Sequence, residues 1–249
     1  RMHVTAIVPA AGQSSRMKTD KLSLVYRDQP VIERAVMPLL STECVDDVIV
    51  VVSPNSRLPV DQSLCNVVIN ADCADGMGTS LRAGVEAASE ETDAYLIALA
   101  DMPEITVSLV ESLVDAFSRS TKGILVPTCD GTNGHPVLFG SEFQDELLGL
   151  GGDIGARPIV RRHAESVERF ETGDGAVLFD IDTPEAVTPR RLQFKSTDAL
   201  RRAVEKLRAD GIWHRAEGAG LSDDIVTLSY YGYDEERIMS LCGDGLVSD

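Results

Sequence analysis

The first candidate functional residues along the chain lie in a loop of small side chains that follows an apolar run at residues 4–8. The loop, with Lys21 shortly after it, reads Ala10-Ala11-Gly12-Gln13-Ser14-Ser15-Arg16-Met17. Small residues let backbone N–H groups approach an anion, and Arg16 and Lys21 add positive charge, so the loop can hold phosphate groups. It matches neither the Walker pattern nor the dinucleotide fingerprint, and a plain strand-to-helix turn with two solvated bases is the alternative.

Three aspartates are candidates for holding a divalent cation. Asp101 follows the apolar run at residues 94–99, and a carboxylate at the carboxyl end of a buried strand can hold Mg²⁺ against a triphosphate. If residues 176–181 form a strand, alternation places Asp180 and Asp182 on one face, and one of them can supply a second ligand. Each position also has a structural interpretation, as a turn former or helix cap at Asp101 and as a capped helix start after Asp182.

Two further glycine-bearing segments can shape a pocket for a second substrate. They are Gly134-His135-Pro136-Val137 and Gly152-Asp153-Ile154-Gly155-Ala156-Arg157. A single histidine is more often an ordinary surface or hydrogen-bonded residue than a catalytic one, so His135 alone decides nothing.

The elements that must position these residues follow from the hydrophobic pattern. Continuous apolar runs predict strands at residues 4–8, 48–52, 67–69, 94–99 and 123–127, and helical spacing predicts helices at residues 31–40, 80–88 and 107–117. Such strands are buried on both faces, which indicates a mostly parallel α/β sheet covered by helices. Ligands of such sheets bind beyond the carboxyl ends of the strands, where the candidate loops lie.

The alternation weakens after residue 127. Short strands are predicted at residues 137–139, 167–170 and 176–181, and short helices at residues 142–148 and 154–162. A helix at residues 196–210, a strand at residues 225–228 and an aromatic cluster at residues 230–233 follow. We expect a first domain over residues 2–194 and an extension over residues 195–249.

Composition limits the partners. The formal charge is 23 − 40 = −17, which argues against nucleic acid and anionic membranes as partners, because both select a basic face. No apolar stretch is long enough for a membrane-spanning helix, and we expect no secretory signal peptide. The five cysteines are scattered and form no C-x-x-C pair, so we expect a reducing, cytoplasmic location and neither disulfides nor a zinc site.

Six motifs, taken in order over about residues 4–190, resemble the molybdenum cofactor nucleotidyltransferase family, whose members have a Rossmann-like (GT-A-like) sheet. They are residues 10–17 with Lys21, residues 76–81, 99–103, 134–139, 152–157 and 180–185. Ala10-Ala11-Gly12 is similar to the cytidylyltransferase branch, since the guanylyltransferase branch usually has two glycines. Pro9 and Lys18 depart from the leucine and glycine that are usual in the family.

The resemblance implies a Mg²⁺-dependent transferase that joins CMP from CTP to the phosphate of molybdopterin and releases pyrophosphate. It implies catalytic roles for Arg16, Lys21 and Asp101, with Asp101 and Asp182 as Mg²⁺ ligands. The nucleotide-binding residues it implies are Pro9, Ala10, Ala11, Gly12, Asp72, Gly78 and Ser80, and the acceptor-binding residues are His135, Pro136, Gly152 and Asp153. A molybdoenzyme undergoing maturation is the partner protein it implies.

Other functions stay open at this point. One alternative is a guanylyltransferase of the same family, and another is an NTP transferase for a sugar or polyol phosphate. A third is a nucleotide-binding protein without activity, which the Lys18 departure and the unassigned extension favour. The joint presence of Arg16, Lys21, Asp101 and Asp182 argues against that third reading, because a pure binding module needs no metal pair.

Overall fold

The computed structural model describes residues 1–12, 21–59, 61–194, 196–217, 226–242 and 246. Its contacts divide the chain into two units. The N-terminal unit comprises Arg1–Leu24 and Gln29–Asp180, and the C-terminal unit comprises Val25–Asp28 and Ile181–Asp249. Residues 181–194, which the sequence analysis assigns to the first domain, thus group with the C-terminal unit.

Helices and strands alternate through the N-terminal unit, and a smaller set of elements follows. In chain order they are β1 (Val4–Pro9), β2 (Val25–Tyr26), β3 (Gln29–Pro30), α1 (Val31–Leu40), β4 (Asp47–Val52), β5 (Asn66–Ile69), α2 (Met77–Glu86), β6 (Ala94–Ile97), α3 (Val107–Arg119), β7 (Ile124–Cys129), β8 (Thr132–Asn133), β9 (Val137–Gly140), α4 (Gln144–Leu148), α5 (Arg157–Arg162), β10 (Val167–Glu171), β11 (Arg190–Phe194), α6 (Thr197–Ala209), β12 (Arg215–Glu217), β13 (Val226–Tyr230) and α7 (Glu235–Cys242).

The central sheet has the strand order β10-β7-β9-β6-β1-β4-β5, with β8 paired to β7. The pairs β5–β4, β4–β1, β1–β6 and β7–β10 are parallel, whereas β9 runs antiparallel to both of its neighbours. The inner strands are apolar along their length because they are buried on both faces. The predicted mixed α/β fold with a mostly parallel sheet is therefore confirmed.

Two local predictions need correction. The helix predicted from Ser80 begins earlier, at Met77, so Gly78 and Ser80 lie in its first turns. The strand predicted at residues 176–181 is wrong, because Gly175–Leu178 form a 3₁₀ helix and the next residues have no regular structure. The Asp174 side chain caps this turn by accepting a 2.9 Å hydrogen bond from the Ala176 N–H. The argument that alternation places two aspartates on one strand face therefore fails.

The C-terminal unit has its own sheet and core. Its three strands are antiparallel in the order β11-β13-β12, and α6 begins where the Ser196 side chain accepts a hydrogen bond from the Ala199 N–H. The predicted helix at residues 196–210 is thus confirmed. Residues from both helices and two of the strands form one buried cluster, among them Phe194, Leu200, Leu207, Leu228 and Ile238.

A buried ion pair ties the short segment Val25–Asp28 into the C-terminal unit. The Arg27 guanidinium donates to the Asp234 carboxylate at 2.6 Å, and the two side chains are only 10% and 9% exposed. The guanidinium also lies near the rings of Tyr26 and Tyr233, 5.4 Å and 5.8 Å from their centroids. When both side chains of an ion pair are this far from solvent, removing either one leaves the other as an uncompensated buried charge.

Among the described residues, no helix combines the length and the apolar character that crossing a bilayer requires.

Replacing Asp234 by Asn removes the counter-charge of a buried guanidinium, so we expect the C-terminal unit to lose about 3–5 kcal/mol of unfolding free energy. Trp213 is the only tryptophan of the chain and lies in this unit, so urea denaturation followed by its fluorescence measures the effect.

The matched control is Asp210→Asn in the same unit. Asp210 pairs with Arg237 at 3.3 Å, but the two side chains are 37% and 60% exposed, so we expect a loss below about 1 kcal/mol. Equal losses in the two variants would contradict a special role for the buried pair.

Candidate active site

The candidate loops leave the central sheet at one edge. Strands β1 and β6 are parallel neighbours with Ile7 opposite Ile97, and the Ala98 N–H donates to the Ile7 carbonyl at 3.1 Å. The chain continues from β1 into residues 10–12 and from β6 toward Asp101. Because parallel strands present their carboxyl ends on the same side, residues 10–12 and Asp101 lie at the same end of the sheet.

An ion pair joins two of the predicted catalytic residues. The Lys21 Nζ donates to Asp101 Oδ2 at 2.6 Å, and the side chains are 21% and 19% exposed. A pair that is partly shielded from water keeps more of its electrostatic energy than a surface pair. Arg16, the third predicted catalytic residue, lies in residues 13–20, outside the described part of the chain, as does Lys18.

A second carboxylate lies close to Asp101. Asp180 is exposed and offers a carboxylate oxygen within 4.8 Å of one from Asp101. Asp182 follows two residues later, at the start of the chain segment assigned to the C-terminal unit, and a two-residue step spans at most about 7 Å. Carboxylate oxygens are the donors that Mg²⁺ prefers, and Mg²⁺ keeps several waters, so this donor set fits such a cation.

A pocket of about 440 Å³ opens beside the small-residue loop. Its lining comprises Pro9 at the end of β1, Gly12, residues 73–77, Ser80 and Asp153. Ala10 and Ala11, which stand between Pro9 and Gly12 in the sequence, are buried. The Ala10 N–H donates to the Val51 carbonyl at 2.7 Å. The structure thus brings Asp153, predicted on the acceptor side, into one pocket with predicted nucleotide-binding residues.

Two glycines let the loops around this pocket pack backbone to backbone. Gly76 has a φ of +105°, and a Cβ there would lie 2.5 Å from backbone atoms of Gly152. The Gly78 N–H donates to the Gly152 carbonyl at 2.8 Å, and a Cβ on Gly78 would lie 2.8 Å from Gly151. Any side chain at these positions would separate the two loops.

A buried polar network holds the start of α2 in place. The Asn70 Nδ2 donates to Thr79 Oγ1 at 2.8 Å and to Ser80 Oγ at 3.0 Å, and Asn70 Oδ1 accepts from the Asp72 N–H. The exposed Asp72 carboxylate lies 3.7 Å from Arg82. The motif at residues 76–81 contains Thr79, but the sequence analysis named neither Thr79 nor Asn70 as a site residue. Their only signal was their position between a predicted strand and a predicted helix.

His135 lies where the chain enters β9. Its backbone N–H donates to the Val177 carbonyl at 2.9 Å, and Pro136 after it is buried. Burial is the main cause that lowers the pKa of the His135 imidazole, and the positive charge of Arg157 lowers it further, whereas a hydrogen bond to the backbone of Ile97 opposes both. A histidine whose pKa lies below its usual value of about 6.5 is neutral at pH 7.

Residues 6–167 match the profile of the MobA-like NTP transferase domain. Nicotine blue oxidoreductase of Paenarthrobacter nicotinovorans is 28% identical to the chain over 197 residues, which cover 73% of this chain and 93% of that protein. Molybdenum cofactor cytidylyltransferase of Escherichia coli (strain K12) is 25% identical over 190 residues, which cover 73% of this chain and 92% of that protein.

A solved structure shares the fold. The crystal structure of Rv0371c from Mycobacterium tuberculosis H37Rv has a TM-score of 0.64 and 25% identity, over 74% of this chain and 95% of that chain. The same protein in complex with manganese has a TM-score of 0.62 and 24% identity, over the same 74% and 95%.

Replacing Gly76 by Ala puts a Cβ into the backbone of the opposite loop at a φ that L-residues rarely adopt. We expect the free energy of unfolding of the N-terminal unit to fall by about 1–3 kcal/mol, measured by chemical denaturation followed by circular dichroism.

Gly151→Ala is the control, because a Cβ at Gly151 meets nothing within 4 Å. We expect its effect to stay within about 0.5 kcal/mol. If the two variants unfold alike, the close approach of the loops does not contribute to stability.

Proposed function

The chain belongs to the family of MobA-like NTP transferase domains, and from that premise we propose that it is a molybdenum cofactor cytidylyltransferase. It transfers CMP from CTP to the terminal phosphate of molybdopterin and releases pyrophosphate. The observation that carries this proposal is the Lys21–Asp101 pair at 2.6 Å, with Asp180 close by, at the sheet edge where the small-residue loop begins. This pair and Asp180 support the proposal because they bring a cation and carboxylates to the end of the sheet where we propose that the phosphates bind.

The reaction joins two anions. An oxygen of the acceptor phosphate forms a bond to the α-phosphorus of CTP, and the bond from that phosphorus to the bridging oxygen breaks, so that pyrophosphate leaves with its electron pair. The acceptor phosphate is already ionised and needs no general base. The protein must therefore orient the two substrates and offset their repulsion, rather than supply a nucleophile.

The acidic side chains at the edge are proposed to hold Mg²⁺. Asp101 and Asp182 are the ligands that the family resemblance implies. We add Asp180 as a third ligand because its carboxylate lies within 4.8 Å of that of Asp101. When bound, Mg²⁺ neutralises charge on the triphosphate and on the leaving pyrophosphate.

Lys21 and Arg16 are proposed to bind the triphosphate. The Lys21 ammonium pairs with the Asp101 carboxylate, which keeps its positive charge at the place where we propose that the triphosphate binds. In a chain of net charge −17, such local cations are needed to offset the repulsion that the protein exerts on an anionic substrate. They also stabilise the charge that develops on pyrophosphate.

The 440 Å³ pocket is proposed to hold the nucleoside of CTP, and its volume is typical of a small-molecule site. Pro9, Gly12 and Ser80 line it, and Ala10, Ala11, Asp72 and Gly78 are the other nucleotide-binding residues we propose. The hydroxyl of Ser80 already accepts from Asn70, which orients it. His135, Pro136, Gly152 and Asp153 are proposed to bind the acceptor, Asp153 from within the same pocket.

We place this activity in the cytoplasm, because the five cysteines are all free thiols and the acceptor implies an intracellular pathway. A molybdoenzyme that receives the product is the proposed partner protein.

The direct test is incubation of the protein with Mg²⁺, purified molybdopterin and each NTP in turn, with pyrophosphate release as the readout. We expect release with CTP. Release with GTP alone would make the protein a guanylyltransferase, and release only when a sugar or polyol phosphate replaces molybdopterin would assign a different acceptor. If no combination releases pyrophosphate although the protein binds nucleotide, the assignment as a transferase is wrong. This outcome matters because one relative is a nicotine blue oxidoreductase.

Replacing Asp101 by Asn removes one negative charge from the proposed metal site, so we expect kcat for pyrophosphate release to fall at least about 100-fold. Higher Mg²⁺ should restore part of the rate. Asp115→Asn is the control, since Asp115 is an exposed carboxylate paired with Arg119 on α3, and we expect its kcat to be unchanged. Near-wild-type turnover of Asp101→Asn would remove Asp101 from the role proposed here.

A further inference from the structure

The first turn of α1 contacts the chain segment that carries Lys21. Lys21–Ser23 form a 3₁₀ turn, and the Leu24 N–H donates to the Lys21 carbonyl at 3.3 Å. The Leu24 carbonyl in turn accepts a 2.9 Å hydrogen bond from the N–H of Val31, the first residue of α1. The backbone at Lys21 is therefore connected to α1 through Leu24.

The same turn of α1 contacts the segment that carries Asp101. Residues 98–106 connect β6 to α3 and contain neither helix nor strand, and Pro103 is buried among them. Arg34 donates from Nε to the Pro103 carbonyl at 3.3 Å. Because the carbonyl of a buried residue needs a hydrogen-bond partner, this bond holds the segment two residues beyond Asp101.

The Lys21–Asp101 ion pair depends on both contacts. Lys21 Nζ lies 2.6 Å from Asp101 Oδ2, and a shift of either segment by about 1 Å would break that hydrogen bond. Val31 is fully buried, which anchors the first turn of α1 in the core. A helical turn is held by its own hydrogen bonds, so the Val31 N–H and the Arg34 Nε fix the separation between the two segments.

We propose, resting on the function proposed above, that Arg34 is a positioning residue for the transfer reaction. Its Nε–H holds the segment of Asp101 at the distance at which this carboxylate meets Lys21 and at which it can serve as a ligand of Mg²⁺. Arg34 acts through the backbone of Pro103 and not by contact with a substrate.

Two variants separate this hydrogen bond from the charge of the side chain. Arg34→Gln places an NH₂ donor at the position of Nε, whereas Arg34→Met places a methyl group there, and both remove the guanidinium charge. We expect Arg34→Met to lower kcat for pyrophosphate release about 10-fold, which corresponds to the free energy of one hydrogen bond. The KM for CTP should stay near its wild-type value, and Arg34→Gln should recover most of the lost kcat.

Binding of Mn²⁺ alone, measured by titration calorimetry, is a readout that needs no turnover. Mn²⁺ takes the same carboxylate ligands as Mg²⁺. We expect its dissociation constant to rise about 10-fold in Arg34→Met, by the loss of the same hydrogen bond, and to stay near the wild-type value in Arg34→Gln. Arg119→Met is the control, because Arg119 is an exposed residue of α3 paired with Asp115, and it should change neither kcat nor Mn²⁺ affinity.

The outcomes separate this inference from the function it rests on. If the wild type transfers CMP and Arg34→Met has the same kcat and Mn²⁺ affinity, with or without a lower melting temperature, the inference is overturned and the transferase assignment stands. Equal losses in Arg34→Met and Arg34→Gln also overturn it, because the charge or packing of Arg34 is then what matters. If the wild type transfers no CMP, the function proposal fails and the Mn²⁺ constants decide: a difference between the Gln and Met variants supports the positioning role, and no difference, or no Mn²⁺ binding by the wild type, overturns both proposals.

Discussion

Charge balance at the carboxyl ends of β1 and β6 is the constraint on which the candidate site depends. The chain carries a net charge of −17, yet its best-supported chemistry concerns phosphates, which such a protein repels. The Lys21–Asp101 pair puts a fixed cation at this edge, and Asp180 adds a carboxylate that can attract a further cation. Because neighbouring parallel strands end on the same side, residues that are distant in sequence contribute to one electrostatic environment.

The shape of the neighbouring pocket depends on two glycines, whose lack of side chains lets two loops approach closely. Gly76 and Gly78 allow one loop to lie directly against the backbone at residues 151–153, and the Asn70 network holds the first turns of α2. Rigid placement of a loop by packing and buried hydrogen bonds is what a binding site needs, since a misplaced polar group contributes little. The two loops form one wall of the pocket although over seventy residues separate them along the chain.

The C-terminal unit is covalently connected to chain segments that carry candidate site residues. The segment Val25–Asp28 belongs to that unit and follows Lys21 closely in sequence, and the segment from Ile181 onward begins directly after Asp180. The buried Arg27–Asp234 pair anchors the first of these segments. The chain thus crosses between the units three times, and two of these crossings lie directly after Asp180 or within a few residues of Lys21.

The buried strands of the central sheet and the longer helices were predicted from the sequence alone, because burial on both faces of a strand or on one face of a helix leaves a periodic apolar pattern. The short strands β2, β3, β8, β11 and β12 were not. The order of short motifs likewise identified the family. The pattern failed at residues 176–181, where a capped 3₁₀ turn replaced the predicted strand, since local hydrogen bonding there outweighed apolar content. Only the tertiary structure decided that Asp180 approaches Asp101, that Asp153 shares a pocket with Pro9, and that Arg34 donates to the Pro103 carbonyl. Those are distances between residues remote in sequence, and packing sets them, whereas periodicity records only which face of an element is buried.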